Sequence, residues 1–113
     1  MERKLGTIIV SPAVLATVAR LEALSVPGVT GMSPLGVHRL LGTRGSGGVR
    51  VQIVDEAVVL DVYILVAPDV DMLHLSREIQ SKVTRAIHEM VGMAVREVNV
   101  HVVDVTEPQV PQD

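Results

Sequence analysis

The sequence contains no cysteine, no phenylalanine and no tryptophan, and its one aromatic side chain in 113 residues apart from histidine is Tyr63. Without cysteine, disulfides, thiolate nucleophiles and cysteine-ligated zinc or iron-sulfur sites are excluded. Without aromatics, the stacking platforms used by single-strand nucleic-acid binders are missing. An excess of positive charge is lacking too: 10 Lys and Arg stand against 13 Asp and Glu, a net charge of -3. That balance argues against a general electrostatic grip on nucleic acid. No run approaches the roughly 20 apolar residues that span a bilayer, and the apolar stretch in "MERKLGTIIVSP" is too short for a signal peptide. The expectation is a cytoplasmic protein with no direct membrane span.

Valine is abundant, at 23 residues, and β-branched side chains favour strands and an aliphatic core. The length suits one domain that buries a core without metal or disulfide support. Residues 1–105 read as that domain, and 106–113, "TEPQVPQD", as a flexible C-terminal tail.

Residues 5–10, "LGTIIV", predict a strand, and Ser11 and Pro12 follow as N-cap and first helical position. Val14, Leu15, Val18 and Leu21 recur on one helix face until Pro27 and Gly28 stop the pattern. "LVAP" at 65–68 repeats this order and leads into a longer helix. Its seam is Met72, Leu75, Ile79, Val83, Ala86 and Met90, with His74, Glu78, Ser81, Arg85 and His88 opposite, and Gly92 ends it. Asp69 and Asp71 sit where carboxylates cap free helix N–H groups. Between the helices, "VRVQIVD" and "AVVLDVYILVA" alternate with period two around Asp55 and Glu56, the pattern of a β-hairpin. Val49, Val51, Ile53, Val58, Leu60, Val62, Ile64 and Val66 then face the helices, joined by Val98, Val100 and Val102 of a last strand. Residues 35–41 fit a short helix or an irregular strand.

These parts assemble as an α+β fold, a two-layer sandwich with two amphipathic helices packed on one face of a mixed or antiparallel sheet of four to five strands. The reverse face then carries Arg50, Gln52 and Val54, followed by Val59, Asp61, Tyr63 and Leu65, and finally Glu97, Asn99, His101 and Val103. Val59, Tyr63, Leu65 and Val103 are apolar for a solvated sheet face, and contiguous apolar surface marks an interface. Cover by the loop at 30–48 is the alternative.

"GTRGSGG" at 42–48 spaces Gly42 and Gly47 like the glycines of a P-loop, but Gly48 and Val49 stand where the lysine and hydroxyl residue belong, and a strand follows instead of a helix. A dinucleotide fingerprint fails because the stretch does not lead from a strand into a helix. Gly42, Thr43, Arg44 and Gly45 spell a KH-type G-x-x-G, outside the two-helix context that clamp requires. A mobile connection is the favoured reading, with RNA contact through Arg44 and Arg50 as the alternative. The four histidines form no metal pair: His88 and Glu89 begin an H-E-x-x-H motif that Gly92 breaks. His74 and His88 lie roughly 21 Å apart along a helix at 1.5 Å per residue. No catalytic grouping of Ser, His and acid is legible, so no catalytic, cofactor or metal residue is assigned.

"GTIIVSPAVLATVARLEALSVPGV" at 6–29 and "EIQSKVTRAIHEMVGMAVREVNVHVVDV" at 78–105 resemble the alkaline-shock family of bacterial envelope stress response proteins, which includes the Gls-type general stress proteins. Gly6 with "IIVSP", Gly28 with Val29, and Ile79 and Gln80 leading through Met90 and Gly92 to "VREVNVHV" carry the likeness. Each mark is structural, and no catalytic residue carries over. The resemblance implies a non-enzymatic protein of cell-envelope homeostasis that self-associates or is held at the membrane by a separate anchor protein. Some relatives are cytoplasmic regulators associated with fatty-acid metabolism, and that role fits the sequence equally. The glycine-rich stretch at 42–48 and the lack of long charged extensions depart from larger relatives. The expected activity is that of a scaffold or regulatory module docking a protein partner, and further copies of itself, through Val59, Tyr63, Leu65, His101 and Val103.

Overall fold

The computed structural model describes residues 4–33 and 44–107. Two helices, α1 (Pro12–Leu24) and α2 (Met72–Val91), pack against five strands: β1 (Val29–Met32), β2 (Arg44–Ser46), β3 (Val49–Val54), β4 (Ala57–Val66) and β5 (Ala94–Val105). The sheet is mixed. β4 lies at its centre, with β5 parallel along one side and β3 and β1 following one another antiparallel along the other; β2 extends the sheet beyond β3.

The helix boundaries follow from local chemistry. Ser11 Oγ accepts from the Ala13 N–H at 3.2 Å and Pro12 opens α1, using a ring whose missing N–H would have had no helical partner. Asp71 caps α2 by accepting from the His74 N–H at 3.0 Å, and Gly92, at φ 78, closes it in the left-handed conformation. Asp69 is exposed and outside the helix, so capping falls to Asp71 alone. The β3–β4 hairpin turns on Asp55 and Glu56 as expected, both with positive φ (49 and 65), the twist that a two-residue hairpin loop requires.

The core is aliphatic. Val58, Leu60, Val62, Ile64 and Val66 of β4 are fully buried beneath the helices, with Val49 and Val51 of β3 and Val98 of β5 beside them. α2 contributes Leu75, Ile79, Val83, Ala86 and Ile87. Met72 and Met90, expected at the ends of that seam, are exposed where the helix overruns the sheet, as is Ile53 near the hairpin tip.

Three sequence expectations need correction. Residues 5–10 are not a strand: no ladder reaches them, and Leu5, Ile8 and Ile9 are 93%, 92% and 87% exposed. The buried face of α1 is Leu15, Ala16, Val18, Ala19 and Ala23, whereas Val14 and Leu21 point outward at 47% and 57% exposure. Small side chains bring this helix close to its neighbours, so the alanines mark the contact face together with Leu15 and Val18. Finally, "SVPGVTG" is more than a turn, because Val29 already begins β1. Residues 35–41 lie outside the described residues, as do 108–113 of the expected tail.

The described part of the glycine-rich stretch is a second hairpin. Ser46 pairs with Val49 across Gly47 and Gly48, at φ 59 and 84. A Cβ on Gly48 would stand 3.0 Å from the Ser33 carbonyl oxygen and 3.1 Å from that of Tyr63, so only glycine lets these backbones meet. Gly42 and Thr43, which complete the G-x-x-G, lie outside the described residues.

Candidate functional site

The reverse face of the sheet is built around β4. Its odd-numbered residues, Val59, Asp61, Tyr63 and Leu65, point away from the helices because strand side chains alternate. Register brings Arg50 of β3 opposite Asp61, and Tyr63 opposite His101 of β5.

Asp61 is the hub of this face. Although it belongs to the side away from the core, it is only 4% exposed. Arg50 donates through Nη2 at 2.8 Å and Nε at 3.2 Å to Oδ2, and His101 Nε2 lies 2.9 Å from Oδ1. A carboxylate only accepts, so His101 carries its proton on Nε2 in this contact. The His101 ring stacks on Tyr63 with centroids 4.4 Å apart and planes 12° from parallel. Burial pushes the Asp61 carboxyl up, but the hydrogen bonds from His101 and Arg50, together with their charges, outweigh that and hold it below its ordinary value. Three adjacent strands are thereby tied by one ionised side chain.

The ladder is interrupted beside this cluster. Tyr63 donates its N–H to Gly48 O at 2.8 Å and accepts at its carbonyl from the Ser33 N–H at 2.9 Å, where the neighbour of β4 changes from β3 to β1. On the other side, the β4–β5 register shifts between Ile64 and Leu65, so Asp104 rather than Val103 stands opposite Leu65. Val103 is the additional residue of that bulge and is exposed.

Of the residues expected to form a docking face, Val59, Tyr63, Leu65 and His101 therefore share one surface as half-buried side chains, and Val103 sits at its margin in the bulge. Arg50 is held by Asp61, while Arg44 lies in β2, a strand away. The Asp61 cluster was not legible as a unit. All its members fall on the predicted reverse face, but which of them touch depends on interstrand register, which the period-two pattern leaves open.

The arrangement positions a histidine by an aspartate, as a general base is positioned, but the other face of the imidazole is stacked on a phenol ring. Clefts among the described residues lie elsewhere. One of about 280 Å³ runs between α2 and β5, lined by Gln80, Thr84, Arg96, Glu97 and Asn99 among others. Another, of about 260 Å³, lies between the helices beside Glu22, Lys82, Arg85 and Glu89. Neither is lined by Asp61 or His101. Among the described residues no group of three or more His, Asp or Glu side chains stands where it could hold a metal, and His74 instead meets Glu78 one turn along α2 at 2.8 Å. No described helix is long and apolar enough to cross a membrane.

The model of the alkaline shock protein 23 family, described by a cell envelope-related function, matches residues 1–107. The chain is 31% identical over 116 residues to the uncharacterized protein YloU of Bacillus subtilis (strain 168), covering 96% of this chain and 97% of that one. It is 28% identical over 105 residues to the uncharacterized protein YqhY of the same organism, covering 89% and 78%. Among solved structures it is similar to MamM CTD: a zinc form matches with a TM-score of 0.50 at 17% identity over 82% of this chain and 85% of that one. A further MamM CTD structure matches with a TM-score of 0.50 at 19% identity over 83% and 99%. That likeness concerns the fold.

Proposed function

The chain belongs to the alkaline shock protein 23 family, whose function is related to the cell envelope, and from that premise we propose a non-enzymatic scaffold or regulatory module of the envelope stress response. It works through protein contacts made on the reverse face of its sheet, with further copies of itself and with a partner that anchors it at the membrane. The protein itself stays in the cytoplasm and meets the membrane only through that partner.

One observation carries this reading: the ionic groups at the centre of the reverse face satisfy one another. Arg50, Asp61 and His101 form a closed cluster, so a partner covering Val59, Tyr63 and Leu65 need not strip water from unpaired charge. A flat, partly apolar surface with compensated charge favours macromolecular docking over capture of a small substrate, which needs a concave site.

The test is affinity purification from the native host at its native level, comparing the parent with a variant carrying Tyr63→Arg and Leu65→Arg. The expected result is an envelope-anchored protein enriched with the parent and lost with the variant. Identical companions for both would contradict the reading.

A further inference from the structure

Residues 7–10 read Thr-Ile-Ile-Val, four consecutive β-branched side chains of the kind that pack on a pleated sheet. Yet these residues belong to no ladder, and no hydrogen bond reaches them. Gly6, just before them, has a φ of 100, and Ser11 caps α1 just after. Val10 packs against the core and fixes the root of this arm, while Ile8 and Ile9 remain almost wholly in water. Neighbouring residues of an extended chain point to opposite sides. A partner covering one side of the arm would leave either Ile8 or Ile9 wet; addition to the edge of a sheet gives both of them neighbours.

The same molecule carries such an edge. Among the described residues β5, 12 residues long, pairs with β4 along one side only, so the alternate N–H and C=O groups of its outer side meet no described strand. An open edge of that length is a template for another strand. Gln80 already takes one β5 carbonyl, donating from Nε2 to Val98 O at 3.0 Å, and residues 99–105 lie beyond that contact.

We propose that residues 7–10 of one copy add as a strand to the outer edge of β5 in a second copy, and that the exchange is reciprocal. The proposal rests on the reading that the chain self-associates, but it uses the N-terminal arm and the backbone edge of β5 in place of the side chains of the reverse face. A second copy is the occupant because every chain brings both an unpaired arm and an open β5 edge. Two copies therefore consume both and close a two-fold dimer through these elements. The sizes agree: four extended residues span about 13 Å at ~3.3 Å per residue, well within the length of β5. The arm is uncharged, so Arg96, Glu97 and Asp104 along β5 oppose no like charge in it.

The natural absence of cysteine makes the test unambiguous. A chain with Ile8→Cys is mixed with a chain carrying Asn99→Cys, Val103→Cys or Val105→Cys in turn, then oxidised and run on a non-reducing gel, with Leu73→Cys on exposed α2 surface as control. Disulfides form only between neighbouring backbones, so the proposal expects a covalent heterodimer at one or more β5 positions in several-fold excess over the control. It also expects Ile8→Asp with Ile9→Asp to halve the mass seen by light scattering while the far-ultraviolet dichroism is unchanged. No excess over the control, or full mass in the aspartate variant, overturns it. Repeating the cross-link with Tyr63→Arg and Leu65→Arg in both chains separates the two surfaces. A cross-link that survives supports the arm, an assembled parent without cross-link overturns the arm while leaving the reverse face standing, and a monomeric parent overturns both.

Discussion

Asp61 joins β3, β4 and β5 through a single carboxylate, and its chemistry makes stability depend on acid in a predictable direction. Because its folded pKa is lowered from the ordinary 3.8, the group contributes stability that is present above the unfolded value. That stability is lost as pH falls from there through the folded one. Chemical denaturation at a series of pH values should show the parent losing stability below pH ~4, with the loss reduced in Asp61→Asn. At neutral pH, Asp61→Ala should cost about 2 kcal/mol, the usual scale for a charged hydrogen-bond partner removed from a largely buried site. Gly48 gives a second prediction at this scale. Gly48→Ala would bring a methyl group against two backbone carbonyls at positive φ and should cost about 2 kcal/mol. Gly47→Ala, whose Cβ would meet the flexible Arg20 side chain, should cost only about 1 kcal/mol. Thermal melts of the two variants would order them.

Among the elements, α1 shows what hydrophobicity alone conceals. Val14 and Leu21 are large apolar side chains that stay exposed, while the buried stripe runs through Leu15, Ala16, Val18, Ala19 and Ala23, three of them alanines because a close helix contact selects small residues. Ala19→Leu should therefore destabilise by about 1–3 kcal/mol through overpacking, whereas Leu21→Gln should stay within ~0.5 kcal/mol; the midpoint in urea measures both. The hairpin of β3 and β4 was legible because alternation and burial coincide along β4 from Val58 to Val66, apart from Asp61, which is buried on the reverse face. β1 was hidden by Pro27, Gly28 and Gly31, turn residues by composition that here flank or enter a strand. Residues 5–10 have the composition of a strand but no partner strand among the described residues, and pairing is a property of two segments, which one segment's pattern cannot supply.

For the molecule as a whole, two helices over a valine-rich mixed sheet were readable from period and punctuation, since burial of one face dictates both. The reverse face was readable as a set of positions but not as a constellation. Arg50, Asp61 and His101 come from three strands, one antiparallel and one parallel to the middle one, and the bulge that displaces Val103 from Leu65 leaves no mark in the alternation. Membership of an envelope-related family and a face whose central charges are already paired make contact between proteins the economical account of its action. Multi-angle light scattering of the parent beside the Tyr63→Arg, Leu65→Arg variant tests this most directly. The account predicts an assembled parent and a lighter variant that keeps its secondary structure, and an assembled parent whose mass survives both substitutions would contradict it.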